Sequence, residues 1–368
     1  MRKMTLLGAT AMLALALLLP AASAQAQDAM QVMKDTVAKY AGKKDKWDGP
    51  TAGPAAATGK KVVFLGGDMK NGGIVGAANG ATEAAKVLGW DLRVIDGQGT
   101  VSGRTAAFGQ AIALKTDGII IGGFDTAEQK VGMDAANAAG IPIIAWHSGT
   151  IVGPNKEAGI YANVTTDPMQ VSEAAALWAM VDGAGKPGAI IFTDSTYAIA
   201  VAKARKMEAV IKASGGTVLE FVDTPIADTS TRMPQLTTTL LQRYGAKWTH
   251  SLAINDLYFD FMGPSLSAAG LKGDARPTQV SAGDGSESAY QRVRTKAFQA
   301  VTVAEPLNLQ GWQTIDELNR AFAKAPWSGY VTPIQVVTPD NIAFDGGPKN
   351  NFDPDNGYRD QYKKMWGK

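Results

Sequence analysis

The chain has 368 residues, 45% of them apolar, which excludes a disordered polymer and exceeds what one compact core usually serves, so two lobes are expected. Its formal charge is +2, but Arg2 and Lys3 lie in a segment expected to be removed, leaving 34 basic against 34 acidic residues. A neutral mature chain has no electrostatic footprint for nucleic acid or an anionic membrane, and the absence of cysteine excludes disulfides, thiolate metal sites and lipid attachment to a cysteine.

Residues 1–26 have the parts of a secretory signal: Arg2-Lys3, an apolar run from Leu6 to Leu19, Pro20, then Ala22-Ser23-Ala24 or Ala24-Gln25-Ala26 for cleavage. The run is shorter than the ~20 residues of a membrane span, so export to a periplasm is expected rather than an anchor. From Gln27 to residue 59 the composition is polar, with a weak helix around Met30 to Tyr40 and an Ala/Gly/Pro tract. Such a leader wraps or frays, although Trp47 is expected to dock on the main body.

Lys61-Val62-Val63-Phe64-Leu65 reads as a buried strand that stops at Gly66-Gly67-Asp68. A polar loop through Asn71, an alanine-rich helix ending at Gly89 and a second strand to Ile95 complete a strand-helix-strand unit, whose right-handed crossover makes the strands parallel. The loop after the first strand then lies at the carboxyl edge, where open α/β sheets bind ligands. A glycine-bearing loop and a helix from Ala106 to Leu114 lead to the strand Gly118 to Ile121, then to Gly122-Gly123-Phe124-Asp125. A helix to Ala139 and the strand Ile141 to Ala145 end at Trp146-His147-Ser148. Three loops, at Asn71, Phe124-Asp125 and Trp146-His147, therefore converge on one edge.

The pattern shifts around Ile160 to Val164 and a second alternation begins with the helix Pro168 to Val181. Its strands are Ala189 to Phe192, Thr217 to Phe221, His250 to Ile254 and Thr278 to Ala282, followed by loops holding Asp194 to Tyr197, Asp223 to Asp228, Asn255-Asp256 and Gly283-Asp284-Gly285. A helix Ser288 to Val293, a strand Gln299 to Val303, a helix Trp312 to Ala325 and a strand Val331 to Val337 follow. Residues 341–368 read as a polar tail. Two back-to-back alternations predict an α/β protein of two doubly wound parallel-sheet lobes whose edge loops face each other across a cleft.

Catalytic motifs are missing. Gly66-Gly67-Asp68-Met69-Lys70-Asn71-Gly72 supplies neither the dinucleotide fingerprint nor, with Gly73-Ile74 following, a phosphate loop. His147 and His250 fall in different lobes with no nucleophile elbow, and no zinc or calcium pattern occurs. The expectation is no enzyme, no cofactor and no metal.

In its order, spacing and local motifs, the chain resembles the periplasmic sugar-binding proteins of the ribose and galactose type, which share their fold with the ligand domains of the lactose-repressor class. The resemblance rests on Asn71-Gly72-Gly73-Ile74, Ala139-Gly140-Ile141-Pro142-Ile143-Ile144, Ala253-Ile254-Asn255-Asp256 and Ala282-Gly283-Asp284-Gly285, and covers about Lys60 to Pro339. It implies the type I periplasmic-binding-protein fold with three segments crossing between the lobes, near Ala162 to Thr165, Ala304 to Pro306 and Thr332 to Ile334. Lobe 1 is then residues 60–163 plus 307–331, lobe 2 residues 164–306 plus 332–340. It also implies a receptor for an ABC importer: a monomer that captures a small polar ligand, a sugar or polyol, by lobe closure and passes it to an inner-membrane permease. A secreted sensor domain that presents its ligand to a chemoreceptor or sensor kinase is the alternative.

Sugar hydroxyls both donate and accept, so the site needs carboxylates and amides in fixed directions. Asn71, Asn255 and Asp284 match family binding positions. The family's aromatic pair after the first strand is replaced by Gly73 and Ile74, which leaves Phe124 and Trp146 to offer apolar faces. His147-Ser148 stand where many members have Asp-Arg, Lys203 where an Arg is common and Glu305 where a Gln is common. Asp125 completes the second edge loop. Asp228, Asp284 and Glu305, balanced in part by Lys203, would make an acidic cleft that favours an amine or a polyol over a carboxylate.

Overall fold

The first strand, Lys61–Gly66 (β1), is buried at every position after Lys61, as a central parallel strand covered on both faces must be. The computed structural model describes residues 27–368; the expected secretory signal, residues 1–26, lies outside the described residues. Around β1 form Asp91–Asp96 (β2), Gly118–Gly122 (β3), Ile143–Trp146 (β4), Gly153–Asn155 (β5) and Ile160–Val164 (β6). They make one six-stranded sheet in the order β2-β1-β3-β4-β6-β5, parallel except for β5. The second sheet is built from Gly188–Thr193 (β7), Thr217–Asp223 (β8), His250–Ala253 (β9), Thr278–Ser281 (β10), Gln299–Ala304 (β11) and Gln335–Val337 (β12). Its order is β12-β11-β10-β9-β7-β8, with only β12 antiparallel.

The helices are residues 27–41 (α1), Gly72–Leu88 (α2), Val101–Ala113 (α3), Lys130–Ala138 (α4), Pro168–Asp182 (α5), Ala198–Ala213 (α6), Thr229–Tyr244 (α7), Gly263–Ala268 (α8), Glu287–Thr295 (α9), Leu307–Phe322 (α10) and Tyr358–Trp366 (α11). Their ends follow local chemistry. Asn71 caps α2 by accepting from the Gly73 amide, and Gly89 leaves it in the left-handed conformation at φ 70°. Asp167 caps α5, with Pro168 in its first turn. The two faces of the first sheet carry separate apolar clusters, one under α2, α10 and α11, the other under α3 and α4; the second sheet has its own. No described helix is long and apolar enough to cross a membrane.

The chain passes from the first sheet to the second between β6 and α5, returns between β11 and α10, and passes again between α10 and β12. Four elements differ from the sequence reading, the first being helix α10, which starts at Leu307 rather than Trp312 and ends at Phe322 rather than Ala325. Helix α3 starts five residues before Ala106, because Thr100 caps it through the Gly103 amide and so places a glycine read as loop inside the first turn. Strand β5 is short and pairs antiparallel with β6; Gly153-Pro154-Asn155 has no apolar run to announce it. Strand β12 begins at Gln335 rather than Val331, since Pro333 cannot donate to a ladder.

The ends of the chain differ most. Helix α10 is buried nearly all round although it carries Asp316, Glu317, Asn319 and Arg320, so each of these must find a protein partner. Leader and tail supply most of them. Asn319 accepts from the Ala57 amide at 2.9 Å and donates to the Pro54 and Ala55 carbonyls, Arg320 donates to the Ala52 carbonyl at 2.8 Å, and the Trp366 indole donates to Asp316 at 2.8 Å. Trp366 stacks on Trp312, and Trp47 packs against Tyr330 and Tyr362. The residues read as a polar tail thus carry α11 and close the first lobe's core, while Met33, Val37 and Tyr40 of α1 pack on the core of the second.

Glu317 accepts a hydrogen bond from the Ser328 hydroxyl, and burial, reinforced by Asp316 and opposed by Arg320, pushes its carboxyl up to about 8 from 4.5. Between those values the folded chain holds a proton that the unfolded chain has lost, so stability falls as pH rises from about 4.5 to about 8. Glu317→Gln removes the titration. The variant is expected to be more stable than the parent by up to ~5 kcal/mol above the raised value, with the gap closing in acid. Denaturant titrations on both sides of this window check it; an offset independent of pH would exclude a titrating Glu317.

Candidate functional site

Strands β1, β3 and β4 end at Gly66, Gly122 and Trp146 on one edge of the first sheet, and β7, β9 and β10 end at Thr193, Ala253 and Ser281 on the facing edge of the second. Between them lies a cavity with about 600 Å³ of empty space, its open mouth included. Asn71, Trp146 and His147 line it from the first lobe; Lys203, Asn255 and Asp284 line it from the second.

His147 follows β4 with a positive φ of 52°, a conformation uncommon outside glycine. Its ring stacks on Trp146, centroids 3.9 Å apart, and its Nε2 lies 2.8 Å from Glu305 Oε2. The Trp146 indole in turn donates to Gln310 at 2.8 Å. Glu305 Oε2 also accepts from Thr166 Oγ1 at 2.7 Å and Gln310 Nε2 at 3.1 Å, while Gln310 Nε2 reaches Thr332 Oγ1 at 3.0 Å. Thr166, Glu305 and Thr332 sit in the three segments that pass between the lobes, so one carboxylate and one amide tie the crossings together. Burial alone would raise the Glu305 carboxyl, but the His147 ring, Lys203 and Thr166 outweigh it and hold it at about 2.

Asp284 and Lys203 are both more than nine-tenths buried. Their side chains have no hydrogen-bond or ion-pair partner among the described residues, and both face the cavity. Burial pushes the Asp284 carboxyl up to about 6 against the pull of Lys203 and His147, with Glu305 adding to the rise. Asp256 sets the loop that carries it: its Oδ2 accepts from the backbone amides of Asp284, Gly285 and Ser286 at 3.1, 2.8 and 3.0 Å, and its Oδ1 from Gln299 at 2.9 Å and from Ser281. Across the cleft the Asp284 carboxylate rests on Gly73, where a Cβ would come within 2.3 Å of its Oδ2. The lobes can meet here because residue 73 has no side chain.

Six of the ten residues singled out from the sequence therefore share one hollow. Asn71 and Asn255 line it while also capping, Asn255 by accepting from the Leu257 amide at 3.2 Å. The other four do not line it. Phe124 is fully buried on the helix side of the first sheet, edge-on to Phe108 and under Arg104, because the Gly122-Gly123 turn sends it back into the core. Asp125 bonds backbone instead: Oδ1 accepts from Gly149 at 2.8 Å, and Oδ2 crosses the cleft to accept from Ala198 at 3.0 Å. It thereby caps α6, whose own cap residue Tyr197 makes no side-chain capping bond. Asp228 pairs with Arg232 on the surface at 3.1 Å. Glu305 is the hinge hub just described, bonded to side chains. The sequence reading passed over Asp68, Ile74, Tyr197, Ile199, Ile226 and Ile254, which also line the cavity. Four of these are isoleucines: Ile226 and Ile254 follow strand ends closely, while Ile74 and Ile199 lie in the first turns of α2 and α6.

His147, Asp284 and Glu305 hold potential ligand atoms within 4.8 Å of one another. The Lys203 ammonium already acts on both carboxylates and His147 is bonded to Glu305, so the group reads as a hydrogen-bonding surface rather than a cation cage.

The sequence matches the periplasmic binding protein domain family over residues 62–325. None of the curated proteins matches it by sequence. Among solved structures it is similar to a galactofuranose binding protein at a TM-score of 0.67 and 16% identity, covering 82% of this chain and 99% of that one. An ABC transporter solute binding protein from Agrobacterium vitis with bound allitol gives 0.63 and 19%, covering 79% and 98%. The binding protein of the arabinose ABC transporter from Shewanella sp. ANA-3, bound to arabinofuranose, gives 0.66 and 17%, covering 83% and 95%.

Proposed function

Because this chain belongs to the family of periplasmic binding protein domains, we propose that it is the exported receptor of an ABC importer, which captures a small sugar or polyol between its lobes and delivers it to a permease. The observation that carries the reading is the pair Lys203 and Asp284, buried, oppositely charged and, among the described residues, without a hydrogen-bond or ion-pair partner, in a cavity that His147 and Asn71 complete from the other lobe. Buried polar groups without partners are unfavourable, so a ligand that both donates and accepts is what this surface complements. Closure is favoured only by contacts made to both lobes at once, and the polar residues are divided between them.

The sugars and sugar alcohol named for the similar structures support a polyhydroxylated ligand. No bond is made or broken in this reading; Glu305, held ionised by His147 and Thr166, serves the hinge. A thermal-shift screen of the mature chain against monosaccharides, polyols and amines tests capture, with X-ray scattering to follow closure. A rise in melting temperature with a polyol, accompanied by a smaller radius of gyration, is expected; a response to amines alone would replace the ligand class. Stimulation of the cognate permease's ATPase by the loaded protein tests delivery.

A further inference from the structure

Resting on that reading of the cleft, we propose that the ligand is amphipathic, with a hydroxylated head bound against the hinge and a short apolar end, a terminal deoxy, alkyl or thioalkyl group, directed at the mouth of the cavity. The two ends of the cavity differ in burial and in chemistry. Lys203, Asn255, Asp284 and His147 are each less than a tenth exposed, and His147 is bonded directly to Glu305 at the crossing segment. Toward solvent the lining passes to Tyr197, Ile199 and Ile226, which are only partly buried.

This outer lip is built so that it offers a ligand little to bond. Asp194, which follows β7 and is almost fully buried, spends its Oδ1 on the amide and hydroxyl of Thr196 at 2.9 and 2.6 Å, and its Oδ2 on the amide of Ile226 at 2.8 Å. One carboxylate thus fixes both isoleucine-bearing loops. Asp125 is spent on Ala198, next to Ile199, and the Tyr197 phenol lies beside the Arg104 guanidinium of the other lobe. Asp68, on the opposite side, spends one oxygen, Oδ1, on the Lys70 amide at 3.0 Å. Ile74 and Ile254 continue the aliphatic surface inward. A ligand hydroxyl set against these isoleucines exchanges water for hydrocarbon with no partner, whereas a methyl or methylthio group is favoured by the same contact.

Calorimetric titration of the mature chain with pairs matched in configuration tests this: D-galactose against D-fucose, L-mannose against L-rhamnose, D-ribose against 5-methylthio-D-ribose. The expected result is at least one pair in which the deoxy or thiomethyl member binds about tenfold tighter than its hydroxylated parent, a ratio that typifies one apolar group in an apolar pocket. Ile226→Asn is expected to narrow that preference. Parents that bind as tightly as their partners, or more tightly, would overturn the apolar end while leaving sugar capture standing. Binding by no member of any pair would overturn both.

Discussion

Asp284→Ala is expected to abolish ligand-induced thermal stabilisation while leaving the empty protein folded. Among the described residues the carboxylate has no hydrogen-bond or ion-pair partner, so its removal breaks no bond they make, and the loop is held by Asp256 through three backbone amides. A hydrogen bond to a charged group contributes roughly 1.5–3 kcal/mol, and a sugar would place two hydroxyls here, so affinity should fall about a hundredfold or more. The empty variant should be no less stable than the parent, because a buried carboxyl raised to about 6 from 3.8 opposes folding once it ionises. The folded state holds the proton more tightly than the unfolded state, so this penalty grows as pH rises from about 4 to about 6 and is constant above. Ligand hydroxyls donate to the ionised form, so affinity runs the other way and weakens as pH falls through about 6, by about tenfold for each unit below it. Asp284→Asn should flatten that profile. A thermal shift undiminished in the alanine variant would remove Asp284 from the site.

Gly311→Val should be the most damaging single change to the fold. Helices α2 and α10 cross at Gly80 and Gly311 with backbone against backbone: a Cβ on Gly311 would lie 2.4 Å from the Ala77 carbonyl and the Ala81 amide nitrogen, and one on Gly80 would lie 2.2 Å from the Asn308 carbonyl. Backbone atoms in a helix cannot move aside as a side chain can, so the axes must part and the apolar cluster beneath them must open. A loss of ~4 kcal/mol or more is expected, enough to unfold a marginally stable domain. Because Gln310 precedes Gly311 and ties Trp146 to Glu305 and Thr332, displacement of α10 should also weaken ligand binding in any fraction that folds. Gly109→Ala is the matched control: it lies in α3 with nothing within 4 Å of the added carbon and should change stability little, or raise it. Equal urea midpoints for the two variants would show that α2 and α10 are not in close contact.

The crossing at Gly80 explains a feature that the sequence shows without its cause. The small residues Gly73, Gly76, Ala77, Gly80, Ala81 and Ala84 recur at helical spacing, which reveals a helix face but not what it meets. Gly76 and Gly80 meet α10 and Gly73 meets Asp284, partners more than two hundred residues away, and no local pattern connects them. The same holds for the site. Asn71, Trp146, His147, Asn255 and Asp284 were legible because each follows the end of a strand, and strand ends in a parallel sheet share an edge. Phe124 and Asp125 follow a strand end just as closely. Only the turn at Gly122-Gly123 and the approach of α6 sent one into the core and committed the other to a backbone amide.

Taken alone, the order of residues determined the alternation of strands and helices, the two-lobed class and the sheet edges that border the cavity, because apolar periodicity and strand-end loops are local properties of a chain. Tertiary structure decided which polar groups remain free for a guest and which are consumed by the protein. A carboxylate's role depends on donors brought to it from distant segments: three amides claim Asp256, two lobes share Asp125, three crossings converge on Glu305, and none of these reaches Asp284. It also decided that leader and tail belong to the core, since the buried polar face of α10 requires partners that neither segment's composition announces.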